Sequence, residues 1–256
     1  MLDERELRLI SEVREKIAVA SRVLFVTGAG ISADAGLPTY RGVGGLYAGE
    51  PTAEGVPIEE ALSGRMLQER PSLCWKYIRQ IEEAGRGAMP SAGHRAIAAL
   101  QTKRREVWVL TQNVDGLHTL AGSRRVIDIH GDIKALRCTR CGDERRVSSY
   151  ENLEAIPHCR ECGGMLRPKV VLFGERLPVA KLERLDHELG IGFDVVVNVG
   201  TSAVFTYIAR PTWITNEKGA LTVEVDPGET RLSQLVDIRF RRRASEVLPS
   251  FLPADV

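Results

Sequence analysis

The chain has almost no net charge: 35 lysines and arginines stand against 34 aspartates and glutamates, leaving +1 at pH 7. Such a balance argues against a general binder of nucleic acid or membrane surfaces, which needs a surplus of one sign. Long hydrophobic runs are also missing. The longest, such as Val195-Val196-Val197, fall far short of the roughly 20 residues that span a bilayer. The opening MLDERELRLISEVREK is charged throughout and does not read as a secretion signal, so a cytoplasmic protein is expected. No low-complexity tract and no fixed-period repeat is present. Cysteine is scarce, five in 256 residues, and the odd count does not suit a disulfide framework. What is there, 43% apolar and 27% charged residues, suits a globular protein with one large core, or a core with a smaller satellite.

Leu7, Ile10, Val13 and Ile17 recur every three or four residues and predict one face of an opening helix. Six short apolar runs then predict buried strands: Val23 to Thr27, Val107 to Thr111, Val126 to His130, Lys169 to Phe173, Asp194 to Val199 and Leu221 to Val225. Their β-branched content and lack of clean alternation suit a parallel sheet covered on both faces. Helical patterns between them, such as His94 to Gln101 and Val179 to Leu189, predict a doubly wound, Rossmann-like α/β domain. Its ligand should lie outside the carboxyl ends of the strands. Two stretches break the alternation. Residues 42–92 hold no strong strand, only the helical patterns Leu62, Met66, Leu67 and Leu73, Tyr77, Ile81; residues 134–168 hold four cysteines and little apolar content. Both read as insertions that together build a smaller domain, leaving 1–41, 93–133 and 169–256 as the nucleotide-binding domain. The basic run Arg239 to Arg243 reads as a solvated edge, with a phosphate or substrate contact as the sharper alternative.

Gly28-Ala29-Gly30-Ile31-Ser32-Ala33 follows the first predicted strand and has the form of a dinucleotide-binding turn. The first glycine is expected to allow the tight turn and the second to let the backbone approach a pyrophosphate. After Ala33 the pattern departs from a dehydrogenase. Gly36, Pro38 and Gly42 break the chain where a plain helix belongs, and no ribose-binding acid ends a second strand about 20 residues on. Cys138-x2-Cys141 and Cys159-x2-Cys162, 17 residues apart, match a two-knuckle zinc spacing. Four sulfurs close a tetrahedron and leave no position for water, so the metal should be structural. Cys74 reads as a small buried hydrophobe. Three strand ends are unusually polar: Gln112-Asn113-Val114-Asp115, His130-Gly131-Asp132 and Gly200-Thr201-Ser202. The amide and carboxylate can recognise a carboxamide and stabilise a developing cation, the histidine can act as a general base, and the hydroxyls can meet ribose or phosphate.

Taken in order, GAGIS at 28, GLPTYR at 36, TQNVDGLH at 111, HG at 130, the two cysteine knuckles, VVLFGE at 170, VGTS at 199 and EVLP at 246 resemble the sirtuins, NAD-dependent protein-lysine deacylases. The resemblance covers nearly the whole chain. It implies that NAD lies in an extended groove with Gly28, Ala29 and Gly30 near its phosphates and Ser32 and Ala33 among its cofactor contacts, and that 33–47 is a mobile cofactor loop in which Tyr40 covers the reacting ribose carbon and Arg41 contacts polar groups nearby. It implies Gln112, Asn113 and Asp115 as nicotinamide and ribose contacts, His130 as the catalytic base, and Gly200, Thr201 and Ser202 on the ribose side. Asp226 and Ala244 fall at the adenosine end, and Val171, Phe173, Gly174 and Glu175 where an acylated substrate peptide pairs as an added strand. The implied reaction passes acyl from lysine to ADP-ribose through a cationic imidate, with release of nicotinamide. A mono-ADP-ribosyltransferase or a longer-chain deacylase on the same scaffold stays open. Thr39-Tyr40-Arg41 stands where the family commonly has Asp-Phe-Arg, and Asp226 where it has asparagine. The Tyr-x-x-Arg pair of its desuccinylating members falls here on Trp75 and Ile78, so neutral acyl groups are expected, acetyl first.

Overall fold

The structure, a computed structural model, describes residues 2–38 and 51–253. Thr39, Tyr40 and Arg41 lie outside the described residues, with most of the broken segment around them. The strands are β1 (Arg22–Thr27), β2 (Glu106–Thr111), β3 (Arg125–Asp128), β4 (Gly131–Cys138), β5 (Glu144–Arg146), β6 (Leu166–Val170), β7 (Val195–Val199), β8 (Leu221–Val225) and β9 (Ile238–Phe240). The helices are α1 (Glu4–Val19), α2 (Ala29–Ala33), α3 (Ile58–Ala61), α4 (Gly64–Glu69), α5 (Pro71–Gly85), α6 (Ala92–Ala99), α7 (Leu117–Leu120), α8 (Val179–Ile191), α9 (Thr206–Glu217) and α10 (Ala244–Val247). Six strands form a parallel sheet in the order β3-β2-β1-β7-β8-β9.

The strands lack polar alternation because both faces are covered. Val23 and Phe25 of β1 point into one core with α1, α6 and α10, whereas Leu24 and Val26 point into a second with α8 and α9. Each such fully buried side chain contributes about 1.5–3 kcal/mol. Asn198, buried in the central strand β7, is tolerated because its amide nitrogen donates to Thr212 Oγ1 at 2.9 Å. Helix α1 begins with Asp3 and Glu6 capping each other's backbone N–H at 2.8 and 2.9 Å, and it buries Ile10, Val13 and Ile17. Leu7, expected on that face, is 53% exposed.

A third core joins the two insertions. Met66, Leu67, Trp75 and Ile78 pack with Leu136, Tyr150 and Leu166, and Cys138 and Cys159 belong to the same cluster. Strands β5, β4 and β6 form a separate antiparallel sheet within it. The run Lys169 to Phe173 was expected in the large sheet; its first residues instead end β6, paired with β4. The sixth parallel strand is β9, whose last two residues, Arg239 and Phe240, open the basic run. Phe240 is fully buried, and Arg239 pairs with the buried Glu224 of β8 at 2.9 Å. Arg241 and Arg242 pair with Glu229 and Glu6, and Arg241 and Arg243 are exposed, so the run is a solvated edge as expected except at Arg239 and Phe240, which enter the sheet. Among the described residues no helix is long and apolar enough to cross a membrane.

Candidate active site

The strand order reverses between β1 and β7, the position where a crevice opens at strand carboxyl ends. Its floor is backbone on backbone. Gly30 N donates to Gly200 O at 2.9 Å and Gly28 N to Val199 O at 3.1 Å. A Cβ on Gly30 would lie 2.5 Å from Gly200 Cα, and one on Gly28 would lie 2.7 Å from Gly200 O. The expectation that Gly28 serves the turn geometry is corrected here: its φ of −128° is open to any residue, and close approach to Gly200 is what excludes a side chain.

Polar groups converge on this floor. Asn113, buried after β2, donates from its amide nitrogen to Gly28 O at 2.9 Å and to Ser32 Oγ at 3.0 Å. Ser32 Oγ in turn donates to Asp115 Oδ2 at 2.7 Å, while Asp115 Oδ1 accepts from Leu117 N at 2.9 Å. Gln112 Nε2 donates to Thr201 Oγ1 at 2.8 Å, linking the ends of β2 and β7. Ser32, Asn113 and Asp115 also line a cavity closed by Leu37, Pro38, Ile81 and Gly85. His94 and His118, both buried, lie 4.7 Å apart between ring centroids with their planes tilted by 57°. Burial pushes the pKa of His94 down to about 4 and that of His118 well below 6.5.

His130 stands at the turn after β3. Its Nδ1 lies 3.0 Å from Gln112 O, and since a carbonyl can only accept, Nδ1 carries the proton and Nε2 the lone pair of the neutral ring. Burial lowers its pKa, with the Gln112 bond opposing. Gly131 follows at φ +94°, and its Cα leaves no room for a side chain against Lys169 O. The adjacent run is partly spent on internal bonds. Val171 N donates to His130 O at 2.8 Å, and Phe173 N and O pair with Leu62 O and Gly64 N, both at 3.0 Å. Glu175 forms a two-pronged ion pair with Arg167 at 2.5 and 2.8 Å and accepts from Leu172 N. Phe173 and Gly174 remain exposed.

The remaining expected positions lie on other elements. Ala33 ends α2, Ser202 is exposed after β7, and Asp226 follows β8 with Oδ1 accepting from Gly228 N at 2.8 Å. Burial raises the Asp226 pKa. Ala244 opens α10, whose Ser245 N is held by Asp34 at 2.8 Å. Sequence reasoning missed Phe205 and Tyr207, which face His130. Their only signal is a pair of aromatics at i, i+2 just past the Gly-Thr-Ser turn.

The four knuckle cysteines bring their sulfurs within 4.8 Å of one another, with Cys138–Cys162 at 3.4 Å and Cys141–Cys159 at 3.7 Å. A tetrahedral zinc at about 2.3 Å from each sulfur sets edges of about 3.8 Å, so the cluster fits Zn2+. Backbone N–H groups of Arg140 and Cys141 point at Cys138 Sγ, as stabilised thiolates require. Cys74 is buried and its pKa is pushed up to about 12, leaving it an inert thiol.

A doubly covered parallel sheet with a glycine-floored crevice, spliced to a four-sulfur module, defines an α/β protein of nucleotide-binding build. The chain belongs to the Sir2 family, whose model matches residues 28–206. It is 49% identical over 243 residues to "NAD-dependent protein deacylase 2" of Pseudomonas aeruginosa, covering 94% of each chain. It is 38% identical to the "NAD-dependent protein deacylase" of Aquifex aeolicus, covering 87% of this chain and 90% of that one. Among solved structures, a Sir2 homologue in complex with NAD superposes with a TM-score of 0.84 at 34% identity, over 94% of this chain and 91% of that one. A Sir2 complex with a p53 peptide and NAD+ gives 0.79 at 27% identity, over 93% and 95%.

Proposed function

We propose that this protein is an NAD-dependent protein-lysine deacetylase that releases nicotinamide and O-acetyl-ADP-ribose. The observation that carries the reading is the anchoring of His130 on the Gln112 carbonyl, at the mouth of a crevice floored by Gly28, Gly30 and Gly200. That bond fixes the tautomer whose Nε2 can accept a ribose hydroxyl proton, and burial keeps the ring neutral at pH 7. Backbone at Gly28, Ala29, Gly30 and Ala33 faces the NAD phosphates. Asn113 and Asp115, locked together through Ser32, hold the nicotinamide side and stabilise positive charge on the ribose. Gln112 and Thr201, bonded to each other, with Gly200 and Ser202 carry the ribose side; Asp226 and Ala244 carry the adenosine end. Tyr40 and Arg41 belong to this reading as the cover that excludes water.

The acylated peptide lies between the lobes as an added strand along 171–175, with the lobes divided at 42–92 and 134–168. Because Phe173's backbone is already paired and Glu175 is tied to Arg167, the exposed Gly174 is the stronger main-chain contact, with Val171 beside it. Neutral acyl groups are favoured. Trp75 and Ile78 are buried in the third core, Tyr77 donates to Glu54, and Arg79 is taken up by the carbonyls of Tyr150, Leu153 and Glu154, so none of these four offers a clamp for an acyl carboxylate. Cys138, Cys141, Cys159 and Cys162 hold a zinc that cross-links the small sheet and takes no part in the chemistry. A cytoplasmic location belongs to the same reading, and the balanced charge argues against nucleic acid as a partner.

Mass spectrometry of products from acetyl-peptide and NAD tests this. Free nicotinamide with O-acetyl-ADP-ribose is expected. ADP-ribosylated peptide would reassign the protein as a transferase, and an unconsumed dinucleotide would refute both.

A further inference from the structure

The lone pair assigned to the base is already engaged. His130 Nε2 lies 2.7 Å from Tyr207 Oη, and because Nδ1 donates to Gln112 O, the Tyr207 hydroxyl must be the donor to Nε2 in the neutral ring. This contact is built in on several sides. The Tyr207 ring stacks on Phe205 at 5.5 Å between centroids and 15° between planes. The imidazole stands edge-on to both rings, at 6.0 Å from Tyr207 and 6.2 Å from Phe205. The segment leading to them turns through Ala203 at φ +49°, the one non-glycine residue with positive φ among the described residues. An alanine in that conformation is costly, so the turn that delivers Phe205 and Tyr207 to His130 is under strain.

We propose that Tyr207 is a built-in stand-in for the ribose hydroxyl: its O–H caps the base nitrogen of His130 in the resting enzyme and is displaced when the substrate hydroxyl arrives. The inference rests on the assignment of His130 as base. Tyr207 is thus a positioning residue. It holds the imidazole in its working tautomer and rotamer, and it sets the pH at which the base becomes available. No covalent step is added: one donor to Nε2 is exchanged for another, and the proton later taken by Nε2 comes from the ribose hydroxyl, not from tyrosine. Burial pushes the phenol up to about 12, so it stays a donor throughout the working range.

Among the described residues, the charged or titrating groups that act on His130 can be named. Tyr207 approaches from α9 and the Gln112 carbonyl from the end of β2. Lys181 of α8, itself paired with Asp128 at 2.8 Å, disfavours imidazolium by its charge. A hydroxyl that donates to Nε2 stabilises the neutral ring and so lowers the pKa. Removing it must raise that pKa, by roughly half to one pH unit for one neutral hydrogen bond.

The test is Tyr207→Phe, which keeps the stack on Phe205, with unchanged zinc content and melting as controls. The five histidines allow ring-labelled NMR titration, with the His130 signal assigned by its loss in His130→Gln. The His130 pKa is expected to rise in Tyr207→Phe, and the acid limb of kcat/KM for NAD should move up with it. At pH above that limb, kcat/KM should stay level or rise up to about tenfold, because the competing donor is gone. An unmoved NMR pKa would overturn the cap. So would a tenfold or larger fall in kcat with the limb in place, which marks a proton relay instead. If the NMR pKa rises while the rate limb stays, the contact is real but His130 is not the rate-limiting base, and the functional claim fails with the base assignment.

Discussion

Gly131→Ala puts the coupling between the small sheet and the base under direct test. The new Cβ would lie 1.8 Å from Lys169 O, with Lys169 C at 2.9 Å and Val170 Cα at 3.1 Å, all backbone atoms that no rotamer change can clear. Even a weak C–H···O contact keeps about 3.3 Å, so β4 and β6 must part by about 1.5 Å at this point. Opening the pair breaks the Val171 N to His130 O bond of 2.8 Å and the Gly131–Val170 pairing, at about 1 kcal/mol per hydrogen bond lost. Holding an L-residue at φ +94° adds about 1–3 kcal/mol. The sum is about 3–6 kcal/mol of stability. Because His130 immediately precedes the wedge, a displacement of this size also costs on the order of 100-fold in turnover. Urea unfolding and deacetylation kcat/KM measure the two losses. Gly219→Ala is the control. Its φ is +67° with nothing within 4 Å of the added carbon, so it should cost only about 1 kcal/mol and leave turnover unchanged. Equal effects of the two substitutions would refute the argument from close approach.

Three further outcomes follow from the same geometry. His130→Ala should leave NAD binding largely intact, measured by calorimetry, while turnover falls roughly 100-fold or more; full turnover would remove His130 from the base role. Stripping metal with a chelator, or Cys159→Ser, should melt the 131–170 sheet together with its shared core, seen as a lower melting temperature and a loss of one bound zinc per chain; an unchanged melt would show that the thiols pack without metal. Acid should destabilise the protein through its buried histidines. Their native pKa values lie below 6.5, about 4 for His94, so the unfolded chain takes up protons first as pH falls. Stability is then full above pH 6.5 and declines toward pH 4, by up to about 1.4 kcal/mol per pH unit for each histidine. The urea midpoint should drop between pH 7 and 5, less steeply in His118→Gln, and an equal slope in that variant would sink the assignment.

Four of the six expected strands lie within one residue of their expected bounds because their physics is local: a β-branched run buried on both faces, such as Val195–Val199, needs no partner to be recognised. A fifth, expected over Val126 to His130, is shorter, running from Arg125 to Asp128. The polar strand ends were legible for the same reason, since each interrupts an apolar run. The exchange of β6 for β9 was not legible. Lys169-Val170-Val171-Leu172-Phe173 has the composition of a central strand, and only its partner, β4, shows otherwise. Ile238–Phe240 is three residues among arginines, and it becomes a strand because Glu224, on the next strand, neutralises Arg239 from within the sheet. The reason for Gly28 and Gly30 was also hidden, since it lies in Gly200, some 170 positions along the chain. Tyr207 reaches His130 only after a turn that a sequence does not reveal.

The contact of residues 28–30 with residue 200 has a consequence for anyone diversifying this scaffold. Because main chain meets main chain there, the shape of the crevice base does not depend on the identity of the surrounding side chains. A combinatorial library randomised around the rim should therefore inherit one constant platform and vary only in what it grips. Conversely, a single extra methyl at any of the three glycines pries two distant parts of the chain apart, and no neighbouring substitution can compensate.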